Sequence, residues 1–270
     1  MWPKLIDIGP LSLNTYGLAL AIAFLFGLWL TAQLARREGL DEDTVWNIGL
    51  VIMVSGLAGS KLLMLLVDWD YYRRHPSAIF SLSTLQSGGV YYGGLLLALA
   101  ACAWYFRRRR LPAWKTADLF TPGLALGHAI GRLGCLAAGC CYGRPTDVPW
   151  AIVFENPLAH EQIRVPLRTA LHPTQLYEAA WEALLFGFLL RFRRRKSFDG
   201  QLVLLYLALY AVGRFVMEFY RGDDRGLFFG GRLSTAQLIS LALLPAALAG
   251  LAARRRHKPS AGSAPVGHAG

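Results

Sequence analysis

Two arginines, Arg132 and Arg214, stand inside runs of sequence that are otherwise apolar enough to cross a bilayer. A charge at mid-membrane costs roughly 2.5–3.5 kcal/mol on insertion scales, so an arginine placed there has an anionic partner or lines a wet cavity. Arg214 is followed four residues on by Glu218. The two share a helical face, and both an internal ion pair and an external anion are open readings. Arg132 has no acid three or four residues away, which points outward, to a bound anion. A guanidinium suits that task because it stays protonated and can hold two phosphate or carboxylate oxygens at once.

Around these arginines lie five clusters: GHAIGRLGCLAAGCCYGRP (127–145), HPTQLYE (172–178), GRFVMEFYR (213–221), SGGVYYGG (87–94) and NTYG (14–17). The first contributes His128, Cys135, Cys140 and Cys141, with Cys102 standing apart. A C-x4-C-C pattern lacks the paired C-x2-C spacing of structural zinc sites, and adjacent cysteines rarely bridge each other. No metal site is therefore expected; thiols packed beside a polar cavity are the default, and a disulfide from Cys135 to one of the pair stays open on an oxidising face. His172, just before Pro173, reads equally as a helix-start residue or a catalytic base. Tyr91 and Tyr92 have the character of interface-belt residues.

The elements that must position these groups are membrane helices. Hydrophobic residues make up 54% of the 270, and only 17% are charged, which excludes an ordinary soluble domain. Runs of about 20 apolar residues give seven spans at 14–35, 45–67, 90–106, 117–138, 174–190, 201–220 and 234–252. The first is too long for the apolar core of a signal peptide and lacks a basic start and a small-residue cleavage site, so it reads as a retained helix. The net charge of +11 would suggest nucleic acid in a soluble protein, but its placement argues for topology instead. Sixteen Lys and Arg fall at 36–37, 107–115, 191–196 and 254–258, in alternate loops and the tail, against nine on the other side. The positive-inside rule then puts the N-terminus outside and the C-terminus in the cytoplasm. The expected fold is all-α: one polytopic domain of seven transmembrane helices over 1–258, with no second domain. Residues 259–270, rich in Ser, Ala, Gly and Pro, are expected to be disordered. The longest connection, 139–173, lies outside and is too long to be mere linkage. Gly123, Gly127 and Gly131 form a stripe on which another helix can approach closely, with His128 and Arg132 one position round from it.

In this order the clusters resemble the prolipoprotein diacylglyceryl transferase family of bacterial inner-membrane proteins. The likeness covers nearly the whole chain: YGL near the first span, GRLG ending the fourth, HPTQLYE opening the fifth and GRFVMEFYR ending the sixth. It implies an enzyme that moves the diacylglyceryl group of phosphatidylglycerol to the thiol of a prolipoprotein lipobox cysteine, forming a thioether and releasing glycerol phosphate, with no cofactor. The partners implied are the lipid, the lipobox segment and the bilayer, not nucleic acid.

Carried over by position, the resemblance implies that Arg132 and Arg214 hold the phosphate, with Tyr16 and Tyr210 lining the lipid site. Gly131, Gly134, Gly139 and Gly143 match the family's signature glycines. Gln175, Glu218, Arg221 and Asp118 also fall on matching positions. The incoming thiol must lose a proton, since at a free pKa near 8.5 little thiolate exists at neutral pH; His172 is the first candidate base and His128 the second. Tyr92, counted with the substrate site, stands where many members have His. Cys135, Ala138 and Cys140 replace Asn, Asn and Glu of the usual signature. Losing that glutamate leaves Arg132 with less internal competition for phosphate, as an expectation. Outside this reading stand a lipid-headgroup enzyme with another acceptor, a non-enzymatic lipid or lipoprotein-precursor binding paralogue, and a membrane thiol-redox protein using the cysteines.

Overall fold

A computed structural model describes residues 2–9, 11–81, 84, 88–223, 226–229, 231 and 233–256. The expected disorder of 259–270 lies outside the described residues. The chain is mostly helical: α1 Thr15–Glu38, α2 Glu42–Val67, α3 Trp69–Arg74, α4 Tyr91–Arg109, α5 Ala113–Ala138, α6 Pro157–Ile163, α7 Thr174–Phe192, α8 Gln201–Met217 and α9 Thr235–Arg256. Three short antiparallel pairs qualify the all-α expectation. These are β1 Lys4–Ile8 with β2 Leu11–Asn14, β3 Ile152–Val153 with β4 Ala170–Leu171, and β5 Leu227–Phe228 with β6 Leu233–Ser234. Each of the seven apolar runs falls on a helix. Among the described residues, four of those helices are long and apolar enough to cross a membrane: α1, α2, α8 with its 3-10 extension to Tyr220, and α9. Side chains such as Leu57, Leu66, Leu184 and Leu96 are about two-thirds exposed, a surface suited to lipid rather than water.

The chain divides into two compact units. One comprises residues 30–116, where α2 and α4 pack closely through Gly59 and Gly93, each directly against the other's backbone carbonyl. Asp41 caps α2 by accepting a hydrogen bond from the Thr44 amide at 3.0 Å. Tyr92 belongs to this unit, partly exposed and edge-on to Tyr91 with ring centroids 5.6 Å apart.

The other unit comprises 1–29 and 117–270 and carries the arginines. The small-residue stripe does what its spacing predicts at two of its three glycines: a Cβ on Gly27 of α1 would come within 2.8 Å of the Gly123 carbonyl of α5, and Gly127 faces Ala23, while Gly131 faces open space. Ala125, Leu185, Leu189, Leu202 and Tyr206 form one core among α5, α7 and α8, with Trp181 and Tyr210 packed against it. The connection 139–173 has a second core of Phe154, Ala159, Val165 and Leu171, so it is a folded cover rather than a linker. Its helix α6 is short, started by Pro157 and by Asn156, whose side chain accepts from the Leu158 amide at 3.0 Å.

Candidate active site

The site is assembled where α5 ends. Gly139 takes φ +86° and its amide, with that of Cys140, bonds back to the Cys135 carbonyl at 3.0 and 3.1 Å, a left-handed helix stop that favours glycine. Cys141 follows at φ +63°. The turn is then tied to the start of α7: Thr174 Oγ1 donates to the Cys141 carbonyl and Gln175 Nε2 to the Cys140 carbonyl, both at 2.8 Å. The next residues form a clasp with the end of α8, in which Arg144 N–H donates to the Tyr220 carbonyl and Gly222 N–H to the Tyr142 carbonyl. These ties bring the signature loop, the HPTQLYE segment and Arg221 into one place.

Glu178 stands at the centre. One oxygen lies 2.8 Å from Arg132 Nε, the other 2.8 Å from Arg221 Nη1 and 4.0 Å from Arg214 Nη1. Arg132 therefore has a carboxylate neighbour, although no acid stands three or four residues from it in sequence. The partner comes from another helix, where spacing along α5 could not reveal it. Arg132 also donates from Nε toward His128 Nε2 at 3.3 Å and from Nη1 toward Cys141 Sγ at 3.6 Å. The i,i+4 pair is present too, with Arg214 Nη2 2.6 Å from Glu218 Oε2. That approach is not aligned as a hydrogen bond. Both Nη atoms of Arg214 are buried without a hydrogen-bond acceptor among the described residues. Arg221 is held by Asp223 as well, through Nε at 2.9 Å and Nη2 at 3.0 Å.

Behind Arg132, His128 Nδ1 lies 3.1 Å from Glu182 Oε1, and Tyr206 Oη donates to Glu182 Oε2 at 3.2 Å. Glu178 was noted in sequence only as the glutamate closing HPTQLYE, and Glu182 was not among the residues expected. The signal was available: two acids four apart in the apolar run of α7 meet the same criterion that exposed the arginines. Burial pushes the Asp223 carboxyl up.

The remaining expected residues fall in several places. The Tyr210 ring sits 5.5 Å from His128 and 5.9 Å from Tyr206. Tyr16 lies beside Gly134, whose face meets Ala19. Gly143 is wedged against the backbone carbonyls of His172 and Tyr220, whereas Gly131 faces open space. Gln175 is fully buried and holds the loop; its Oε1 has no partner among the described residues. Among the described residues, the His172 side chain makes no ion pair or hydrogen bond with Arg132, Arg214 or Arg221. Its Nδ1 is 3.2 Å from Tyr177 Oη, which accepts from Trp150 Nε1 at 2.6 Å. Asp118 lies at the other end of α5, bound to the start of α8. Tyr92 belongs to the unit of residues 30–116. The cysteines are reduced, with no disulfide.

Fold and site define a multi-pass helical membrane protein whose buried centre is a cluster of three guanidinium groups on shared carboxylates. The family model for prolipoprotein diacylglyceryl transferase matches residues 3–253, and the chain belongs to that family. It is 36% identical over 242 residues to the phosphatidylglycerol--prolipoprotein diacylglyceryl transferase of Clostridium tetani, covering 89% of this chain and 93% of the relative. The enzyme of the same name from Trichormus variabilis is 32% identical over 97% of this chain and 94% of its own length. That from Symbiobacterium thermophilum is 36% identical over 89% and 88%.

Proposed function

We propose that the chain transfers the diacylglyceryl group of phosphatidylglycerol to the lipobox cysteine of prolipoproteins, with Arg214 as the principal phosphate ligand. The single observation that carries the assignment of Arg214 is its buried Nη1, which has no hydrogen-bonded acceptor among the described residues, while Nη2 faces Glu218 Oε2 at 2.6 Å. Buried donors left unmatched cost about 1–3 kcal/mol each, and a phosphodiester supplies acceptors of the right charge and spacing. Arg132 joins it from α5. Glu178 keeps Arg132 and Arg221 oriented, and Glu218 lies against Arg214.

The incoming thiolate attacks the glycerol carbon while the carbon–oxygen bond breaks and its electron pair leaves with the phosphate oxygen. Charge grows on that phosphate through the transition state, where fixed guanidinium donors act most strongly. His172 takes the thiol proton. His128 is less suited, because Glu182 engages one ring nitrogen and Arg132 the other, while His172 has one engaged by Tyr177. Tyr16 and Tyr210 line the acyl-glycerol portion, and Gly131, Gly134, Gly139 and Gly143 shape the wall. Gln175 and Arg221 complete the binding set, Gln175 by holding the loop.

The chain sits in the bacterial inner membrane with seven spans in one domain, its N-terminus outside and its C-terminus in the cytoplasm. The basic clusters at 107–110 and 191–196 support that orientation. Relatives named as transferases favour this reading over a non-enzymatic binding paralogue or a thiol-redox protein. The test is transfer of radiolabel from the acyl chains of phosphatidylglycerol to the cysteine of a lipobox peptide by membranes containing the chain. Labelled peptide is expected; folded protein that leaves the peptide unlabelled overturns the proposal.

A further inference from the structure

The turn that ends α5 brings together three thiols that the sequence spacing left apart. The Sγ atoms of Cys135, Cys140 and Cys141 all lie within 4.8 Å of one another. Around a tetrahedral zinc-class ion, thiolate sulfurs about 2.3 Å from the metal stand roughly 3.8 Å from each other, so closure needs shifts of about 1 Å or less. The geometry is built rather than incidental. Cys141 occupies the left-handed backbone region at φ +63°, which costs a residue other than glycine about 1–2 kcal/mol. It is kept there by the bonds from Thr174 and Gln175 to the carbonyls of Cys141 and Cys140.

We propose that Cys135, Cys140 and Cys141 form a three-thiolate site for a thiophilic divalent cation of the zinc class. The C-x4-C-C spacing argued against a metal because it departs from paired C-x2-C ligands. The left-handed turn removes that objection by folding Cys140 and Cys141 back toward the helix end. Charge supports the choice. A divalent cation on three thiolates has a net charge of −1, and Arg132 Nη1 already lies 3.6 Å from Cys141 Sγ, so the arginine remains compensated when the cation binds. Three protein ligands leave a fourth tetrahedral position for an exchangeable ligand, as in open zinc sites. The site fastens the end of α5 to the signature loop, and it goes beyond the transfer reaction without depending on it.

The test is anaerobic titration of Co(II) into the full chain, purified in detergent with its thiols reduced. One Co(II) per chain is expected, with thiolate-to-cobalt charge-transfer absorption and tetrahedral visible bands that Zn(II) bleaches. Cys140→Ser and Cys141→Ser should each weaken Co(II) binding by more than about 100-fold, beyond the roughly 10–100-fold effect of outer partners. Cys102→Ser should leave it unchanged. A zinc-edge X-ray absorption spectrum of the wild-type protein, which needs no variant to fold, should show three sulfur neighbours at about 2.3 Å. Absence of the charge-transfer band, an identical titration in Cys140→Ser, or a first shell without sulfur would overturn the site.

Discussion

Helix α5 carries a charge toward each end, Asp118 buried and Arg132 partly buried, and the two are treated in opposite ways. Near its start, Asp118 is 2% exposed and fully engaged. Its oxygens accept from the backbone amides of Gly200 and Val203 at 2.8 and 3.0 Å and from Lys196 Nζ at 3.4 Å. Two helices are latched together by these three bonds. Toward the other end, Arg132 shares Glu178 with Arg221 and Arg214, and Arg214 Nη1 has no hydrogen-bonded acceptor among the described residues. A buried charge closed by backbone amides is structural. A cluster of guanidinium groups that its own carboxylates do not exhaust is prepared for a ligand.

That contrast can be broken by substitution. The largest effect should come from Arg132→Ala and Arg214→Ala, each lowering labelled transfer by about 10²-fold or more, as for loss of a transition-state donor, with membrane insertion intact. Glu178→Ala removes the shared counter-charge, and breaking a buried pair from one side costs about 3–5 kcal/mol. Denaturant unfolding in detergent should read this loss. Asp118→Asn keeps the shape but weakens the amide and lysine contacts. It should lower stability by about 1–3 kcal/mol while leaving transfer per folded molecule nearly unchanged. The smallest effect should follow from replacing Cys135, Cys140 and Cys141 together by Ser. A transferase keeps most of its labelled-peptide yield, whereas a thiol-redox protein would lose its function.

The same contrast marks what the sequence could and could not disclose. Helix positions were legible because apolar runs of about 20 residues are a direct consequence of bilayer thickness. The approach of α1 to α5 was legible from glycines at four-residue spacing, and the contact of Arg214 with Glu218 from the helical repeat. Contacts between elements were not. Nothing in the neighbourhood of Arg132 names Glu178, and nothing around Gln175 says that its amide binds a carbonyl in the cysteine turn. The short strands carry too few residues for an alternation to register. The three thiols meet only because Gly139 and Cys141 adopt left-handed backbone, a conformation that spacing along the chain does not encode.

The most direct measurement compares Arg214→Ala with Asp118→Asn in the same membranes, reading radiolabel moved from phosphatidylglycerol to a lipobox peptide per folded molecule. The account predicts a loss of about 10²-fold or more in the first and a rate close to wild type in the second. Retained transfer by Arg214→Ala, or an equal loss in both, would contradict it.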